Sequence, residues 1–227
     1  AIVEKFMDYN IEYQLKDKVP SIYDHFIAKD IIAYLKLSLD KLDNVSFMRI
    51  ANKPKRFLNK NMLSDAMDIC KNEKSILEHL YCSTSLKSWQ LEKINDLLFH
   101  IGQIKTKNVY DAIRYILKIV GYEDYIEEYA SFKNIGTKGL LEIANEILES
   151  SKGYNDILTY LTHIEDIKQE IDKKHKSKNN QKGIVLTTMH SAKGLEFDVV
   201  FVIGCIDGVI PHEKSKSNIE IEEERRL

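Results

Sequence analysis

The order of apolar and polar positions changes character twice along the chain. Near the amino terminus Phe6, Met7 and Ile11 keep a short helical rhythm, and Tyr13 and Leu15 alternate with polar neighbours as in a brief strand. FIAKDIIAYLKLSL then sets Ile27, Ile31, Leu35 and Leu39 on one stripe, which predicts an amphipathic helix. From Pro54 to about His175 the helical spacing is almost unbroken. Within 108–121, Asn108 is placed to cap, Asp111 sits at the third helical position, and Val109, Ala112, Ile113, Ile116, Leu117 and Val120 share a face that Gly121 can close. Further stripes run through Leu86, Gln90, Ile94, Leu97 and Ile101, through Leu140, Ala144, Ile147 and Leu148, and through Ile157, Leu161, Ile164 and Ile171. Four or more helices are therefore expected to pack together.

The stretch KKHKSKNNQKG, residues 173–183, has no apolar period and ends in glycine, so it reads as a solvated linker. After it come GIVLTTM and DVVFVIG, unbroken apolar runs of strand length, as in strands covered on both faces of a parallel sheet. The expected order is thus α/β, all-helical, α/β. Two such strands and one short amino-terminal strand are too few for a covered sheet of their own. Residues 1–52 and 183–227 are accordingly expected to form parts of one α/β domain, with the helical block 53–182 inserted between them. IEIEEERRL has the acidic opening of a helix, and the chain is expected to continue beyond Leu227.

Composition narrows the function classes. With 44% hydrophobic and 30% charged residues over 227 positions the chain is globular rather than disordered, and 3 Pro with 9 Gly suit helices better than a loop-rich sandwich. No apolar run is long enough for a membrane span, and the start AIVEKFMDYN lacks a signal-peptide layout, so a soluble cytoplasmic protein is expected. The net charge of −2 does not announce a nucleic-acid binder, so any such binding rests on local patches. The 33 basic residues comprise 28 Lys and 5 Arg, which favours point charges over guanidinium forks at phosphate. Cys70, Cys82 and Cys205 form no C-x-x-C pair, which argues against a disulfide frame or a zinc site.

The segment HSAKGLEF, residues 190–197, lies between the two expected strands, and a loop leaving the carboxyl end of a parallel strand is where α/β proteins bind ligands. Thr188 and His190 carry groups that can meet phosphate or a base, Gly194 permits close backbone approach, and Glu196 can accept hydrogen bonds from sugar hydroxyls. Taken singly these are weak signals: a lone His at a strand end is more often structural than functional, and Lys193 and Glu196 are by default a solvated pair on a short helix.

The whole string TMHSAKGLEFDVVFVIGCIDGVIPH, with EEERRL after it, resembles motif V and the opening of motif VI in the UvrD, Rep and PcrA family of superfamily 1 DNA helicases. IEYQL resembles the family's segment after motif IV, DHFIAKDIIAYLKL its helix with an E-I-K-D-x-x-x-Y-L core, and FMRIANKPKR its R-I-x-N-x-P-x-R approach to an inserted helical subdomain. The resemblance implies two RecA-like motor domains with nucleotide between them, single-stranded DNA across their top, and a helical 2B subdomain inserted in the second motor domain, 2A. It assigns residues 1–52 and 183–227 to an incomplete 2A and 53–182 to 2B. By resemblance Thr188 and His190 contact the single strand, Gly194 lines the nucleotide cleft, and Glu196 holds the ATP ribose.

Departures from the family pattern carry their own expectations. No G-x-x-x-x-G-K-S/T phosphate loop and no D-E pair after a strand occurs, and the Thr-Arg that supplies an arginine finger is expected beyond Leu227. The chain is therefore expected to be a fragment unable to hydrolyse ATP alone and to hold neither ATP nor magnesium by itself, although its full-length parent needs both. Where the family has R-G-I-G, this chain has Arg56-Phe57-Leu58-Asn59, which removes the glycine turn that lets backbone approach a duplex. Lys53, Lys55, Arg56 and Lys60 are a substitute DNA-binding set, weighed against plain surface charges. Asn134 to Gly139 is a second candidate for phosphate, weighed against an interhelical turn, and Trp89 is expected to pack rather than stack on bases.

The implied parent is an ATP-dependent 3′ to 5′ DNA helicase of repair or replication, acting on single-stranded and junction DNA together with its motor domain 1A. The helicase subunit of a recombination nuclease and a non-catalytic helical module that binds DNA or a partner protein remain the alternatives.

Overall fold

The computed structural model describes residues 2–17, 21–71, 73–84, 86–176, 183–203 and 217–226. In chain order these form α1 (Ile2–Asp8), β1 (Tyr13–Leu15), a 3-10 turn (Ile22–Asp24), α2 (Phe26–Leu39), α3 (Asn44–Ile50), α4 (Lys60–Cys70), α5 (Ile76–Tyr81), α6 (Ser88–Lys105), α7 (Val109–Lys118), α8 (Tyr122–Lys133), α9 (Thr137–Ser150), α10 (Ile157–Lys176), β2 (Ile184–Leu186), α11 (Met189–Ala192) and α12 (Asn218–Arg225). The protein is mostly helical, with one two-stranded parallel sheet among the described residues. No described helix is long and apolar enough to cross a membrane.

Two compact units divide the chain: residues 20–171, and residues 1–19 together with 172–227. The helical unit is built around α2, which packs against α3, α6, α7 and α9. Ile27, Ile31 and Leu35 of the expected stripe are fully buried, while Leu39 at the helix end is exposed. The unit boundary at 19/20 differs from the division at residue 52 drawn from sequence, because α2 and α3 bury their apolar faces on the helical block.

Local sequence explains where many of these helices start. Asn59, Ser75 and Asn108 each accept an amide of the first turn of α4, α5 and α7, and Asp43 does the same for α3, satisfying donors that the helix leaves unpaired. The side-chain Oδ1 of Asn108 accepts the Asp111 N–H at 2.9 Å, as its position predicts. Gly121 has φ of +82° and begins α8 rather than closing α7, which ends at Lys118. Residues 134–136 form the turn between α8 and α9, with Asn134 in the left-handed region. The stretch read as a linker starts inside α10, which continues to Lys176, and residues 177–182 lie outside the described residues.

In the smaller unit β1 and β2 pair in parallel, Tyr13 with Ile184, Gln14 with Val185 and Leu15 with Leu186. The second expected strand does not form over its described part. Residues 198–203 are irregular, with Val199 to Ile203 exposed and Phe201 at 84%. Among the described residues no strand pairs with this run, and an extended segment becomes a strand only when a neighbour takes its backbone hydrogen bonds. Residues 204–216, which carry the remainder of the motif V and VI resemblance, lie outside the described residues. α12 confirms the helical opening after Ser217, which exchanges hydrogen bonds with Glu220 in a capping box.

Candidate nucleotide and DNA interface

The loop that follows β2 leaves the carboxyl end of the sheet beside the end of β1. Thr188 caps the single turn α11, its Oγ1 accepting the Ser191 N–H at 3.2 Å and donating to Ser191 Oγ at 3.1 Å. Asp17, two residues past β1, completes this arrangement. Its Oδ2 accepts the Thr188 N–H at 2.6 Å and the Thr187 hydroxyl at 3.1 Å, and its Oδ1 accepts the Ser191 hydroxyl at 2.5 Å. Those bonds, led by the one from Ser191, lower the Asp17 pKa to about 2, since each favours the ionised carboxylate. Sequence reading missed Asp17. The available signal was an acid just past a strand end, and it gains meaning only once β1 and β2 are neighbours.

His190 within α11 and Gly194 and Glu196 beyond it are all exposed, and Gly194 has φ of +80° with open space around the position of a Cβ. Thr188, His190, Gly194 and Glu196 therefore share one short loop. The Thr188 hydroxyl proton and amide are already committed to Ser191 and Asp17.

The four basic candidates meet different fates in the helical unit. Asp30 of α2 is fully buried, with Arg49 Nε at 2.7 Å and Lys53 Nζ at 2.9 and 3.0 Å from its carboxylate, which also accepts the Tyr122 hydroxyl at 2.7 Å. Burial, with Asp30 alongside, pushes the Tyr122 phenol up and keeps it protonated as a donor. Sequence reading placed Arg56 among surface cations, but it is 5% exposed. Its guanidinium donates to the carbonyls of Ile50 at 2.8 Å and Ala51 at 3.3 Å and to the Tyr34 hydroxyl at 2.8 Å. Asn52 accepts the Leu58 N–H and donates to the Leu58 carbonyl, holding the same bend. The motif residues thus brace the chain from inside. Lys55 remains exposed, paired at 2.7 Å with Glu128, and Lys60 is exposed at the start of α4.

Phe57 keeps the left-handed backbone, φ +58°, that glycine would favour at this position. Its carbonyl accepts from Gln90 at 2.8 Å, and its ring meets Trp89 edge-on at 5.5 Å. Trp89 is half-exposed rather than packed away.

Residues 1–227 match the family of UvrD-like helicase C-terminal domains. The chain belongs to that family. Among curated relatives, ATP-dependent DNA helicase PcrA of Bacillus subtilis is 31% identical over 254 residues, covering 100% of this chain and 32% of that protein. DNA helicase II of Rickettsia typhi is 28% identical over 100% of this chain and 34% of that protein. ATP-dependent DNA helicase Rep of Buchnera aphidicola is 29% identical over 96% of this chain and 36% of that protein. The chain spans about a third of the length of these relatives.

PcrA and Rep are named as ATP-dependent, and the residues present in this chain fit only part of what a nucleotide with its metal ion requires. An exposed carboxylate at Glu196 beside the open backbone of Gly194 fits the sugar edge of a nucleotide. For a metal ion the described residues offer no cluster of three His, Cys, Asp or Glu side chains.

Proposed function

We propose that the chain is the 2A and 2B portion of an ATP-dependent DNA helicase moving 3′ to 5′ on single strands and acting on junction DNA in repair or replication. Residues 1–52 and 183–227 belong to 2A and 53–182 to 2B in this reading, with motor domain 1A as the partner that completes the nucleotide cleft. The observation that carries it is the parallel pairing of β1 with β2. That pairing joins two segments far apart in sequence and places HSAKGLEF at the carboxyl end of the sheet.

In this mechanism Glu196 accepts hydrogen bonds from the ribose hydroxyls, and Gly194 lets the backbone approach the nucleotide. His190 presents its imidazole to the strand. Thr188 touches the strand through the acceptor capacity its hydroxyl retains, and Lys55 supplies a charge at the start of 2B. ATP with magnesium, when bound, supplies the phosphoryl-transfer chemistry, for which this chain's residues provide positioning rather than the reacting groups.

In the full-length protein, Glu196→Ala is expected to weaken nucleotide binding much more than DNA binding, and His190→Ala the reverse. Equal loss of both in Glu196→Ala overturns the ribose role, and absence of DNA-stimulated ATP hydrolysis in the wild type overturns the helicase reading. The 227-residue chain alone is expected to bind DNA weakly and in a salt-sensitive way, without ATPase activity.

A further inference from the structure

A cavity of about 500 Å³ opens between the α6–α7 turn and the exposed side of α7. Lys107, Arg114 and Lys118 line it, against the single carboxylate of Asp111. Arg114 and Lys118 stand four residues apart on α7, hence on one face, a spacing at which like charges repel. Lys118 is relieved by an ion pair with Glu123. The Lys107 ammonium lies 5.0 Å from the centre of the Tyr115 ring, an attraction that fixes its charge at the cavity wall. Tyr115 is itself held, its hydroxyl 2.9 Å from His100 Nδ1. Asp111 is turned to its cap, accepting from Asn108 Nδ2 at 2.8 Å. Arg114 is exposed and has no hydrogen-bond or ion-pair partner among the described residues.

An arginine fork without a carboxylate, flanked by two lysines in a concavity, matches a phosphate group: planar donors meet two phosphate oxygens while the lysines act as point charges. The cavity exceeds one phosphate and has room for an attached sugar. We propose that this surface of the helical unit is a phosphate-binding site, with Arg114 as its principal contact and Lys107 and Lys118 supporting it. The site stands on the geometry of α6 and α7 and is independent of the roles proposed for Glu196 and His190.

The test uses the 227-residue chain, with a fluorescent DNA duplex and inorganic phosphate as probes, at low and at physiological salt. Arg114→Gln is expected to weaken duplex binding about tenfold at low salt and to reduce the slope of log affinity against log salt by about one. Arg114→Lys should fall between, because charge returns without the fork. Lys41→Gln, at an exposed lysine paired with Glu78, is the control and should change neither quantity. Melting curves followed by circular dichroism check that each variant folds.

A loss specific to Arg114 with the duplex assigns the site to nucleic-acid backbone. Chemical shifts of the Arg114 side chain that respond to inorganic phosphate, with duplex affinity unaltered by the substitution, assign it to free phosphate. If Arg114→Gln changes neither response, or Lys41→Gln weakens binding as much, the site does not exist.

Discussion

The carboxylate of Asp17 accepts the Thr188 amide at 2.6 Å across 171 positions of sequence. Through Ser191 the same carboxylate also terminates a chain of hydroxyls that begins at Thr188. Thr188 is thus held by its backbone and its side chain at once, and the loop carrying His190, Gly194 and Glu196 starts from a fixed point. Asp17 is a positioning residue for that loop.

The pH dependence of this latch follows from its direction. Asp17 has a pKa of about 2, below the ordinary 3.8, so its contribution is complete above about pH 4 and is lost as pH falls towards 2. Hydrogen exchange at the Thr188 and Ser191 amides should accelerate across that window in the wild type. In Asp17→Asn it should be fast throughout, with no acid transition. An unchanged acid transition in the variant would remove Asp17 from the account.

Asp30 predicts a large and localised cost. Arg49, Lys53 and Tyr122 converge on its buried carboxylate, and removing it leaves two cations facing a site with no anion. Asp30→Ala should destabilise the helical unit by roughly 3–5 kcal/mol in denaturant titration. Lys55→Ala, which breaks the exposed pair with Glu128, should cost at most about 1 kcal/mol. Similar losses for the two would contradict the assignment of Asp30 as the centre of the network.

At position 57 the backbone and the side chain pull in opposite directions. The φ of +58° is costly for any residue with a Cβ, while the Phe57 ring gains an edge contact with Trp89. Phe57→Ala loses the ring and keeps the strain; Phe57→Gly loses both. The glycine variant should therefore be more stable than the alanine variant by about 1 kcal/mol. The reverse order in thermal unfolding would show that the left-handed conformation is not retained.

Gly183 tests the sheet. With φ of +115°, a Cβ there would lie 2.2 Å from the Glu12 carbonyl oxygen, a backbone atom that cannot swing aside. Gly183→Ala should separate β1 from β2, seen as fast exchange of the Ile184 amide that now donates to Glu12 at 2.9 Å. The melting of the helical unit should be unaffected.

The helix start at Asn108, the α2 stripe and the brief strand at Tyr13 were written in the sequence by itself, because caps and amphipathic periods depend on residues within about a turn of one another. The loop from Thr188 to Glu196 was legible for a related reason, as an ordered string rather than single residues. Which charges would be buried was decided only by the tertiary structure. Arg56 and Lys53 look like surface cations until α2 brings Asp30 and Tyr34 beside them, and Asp17 looks idle until β2 arrives. The Val199–Ile203 run reads as a strand from its own residues and stays irregular, since a strand requires hydrogen bonds from a neighbour that local sequence does not contain. Pairing partners come from remote parts of the chain, and only folding determines which of them meet.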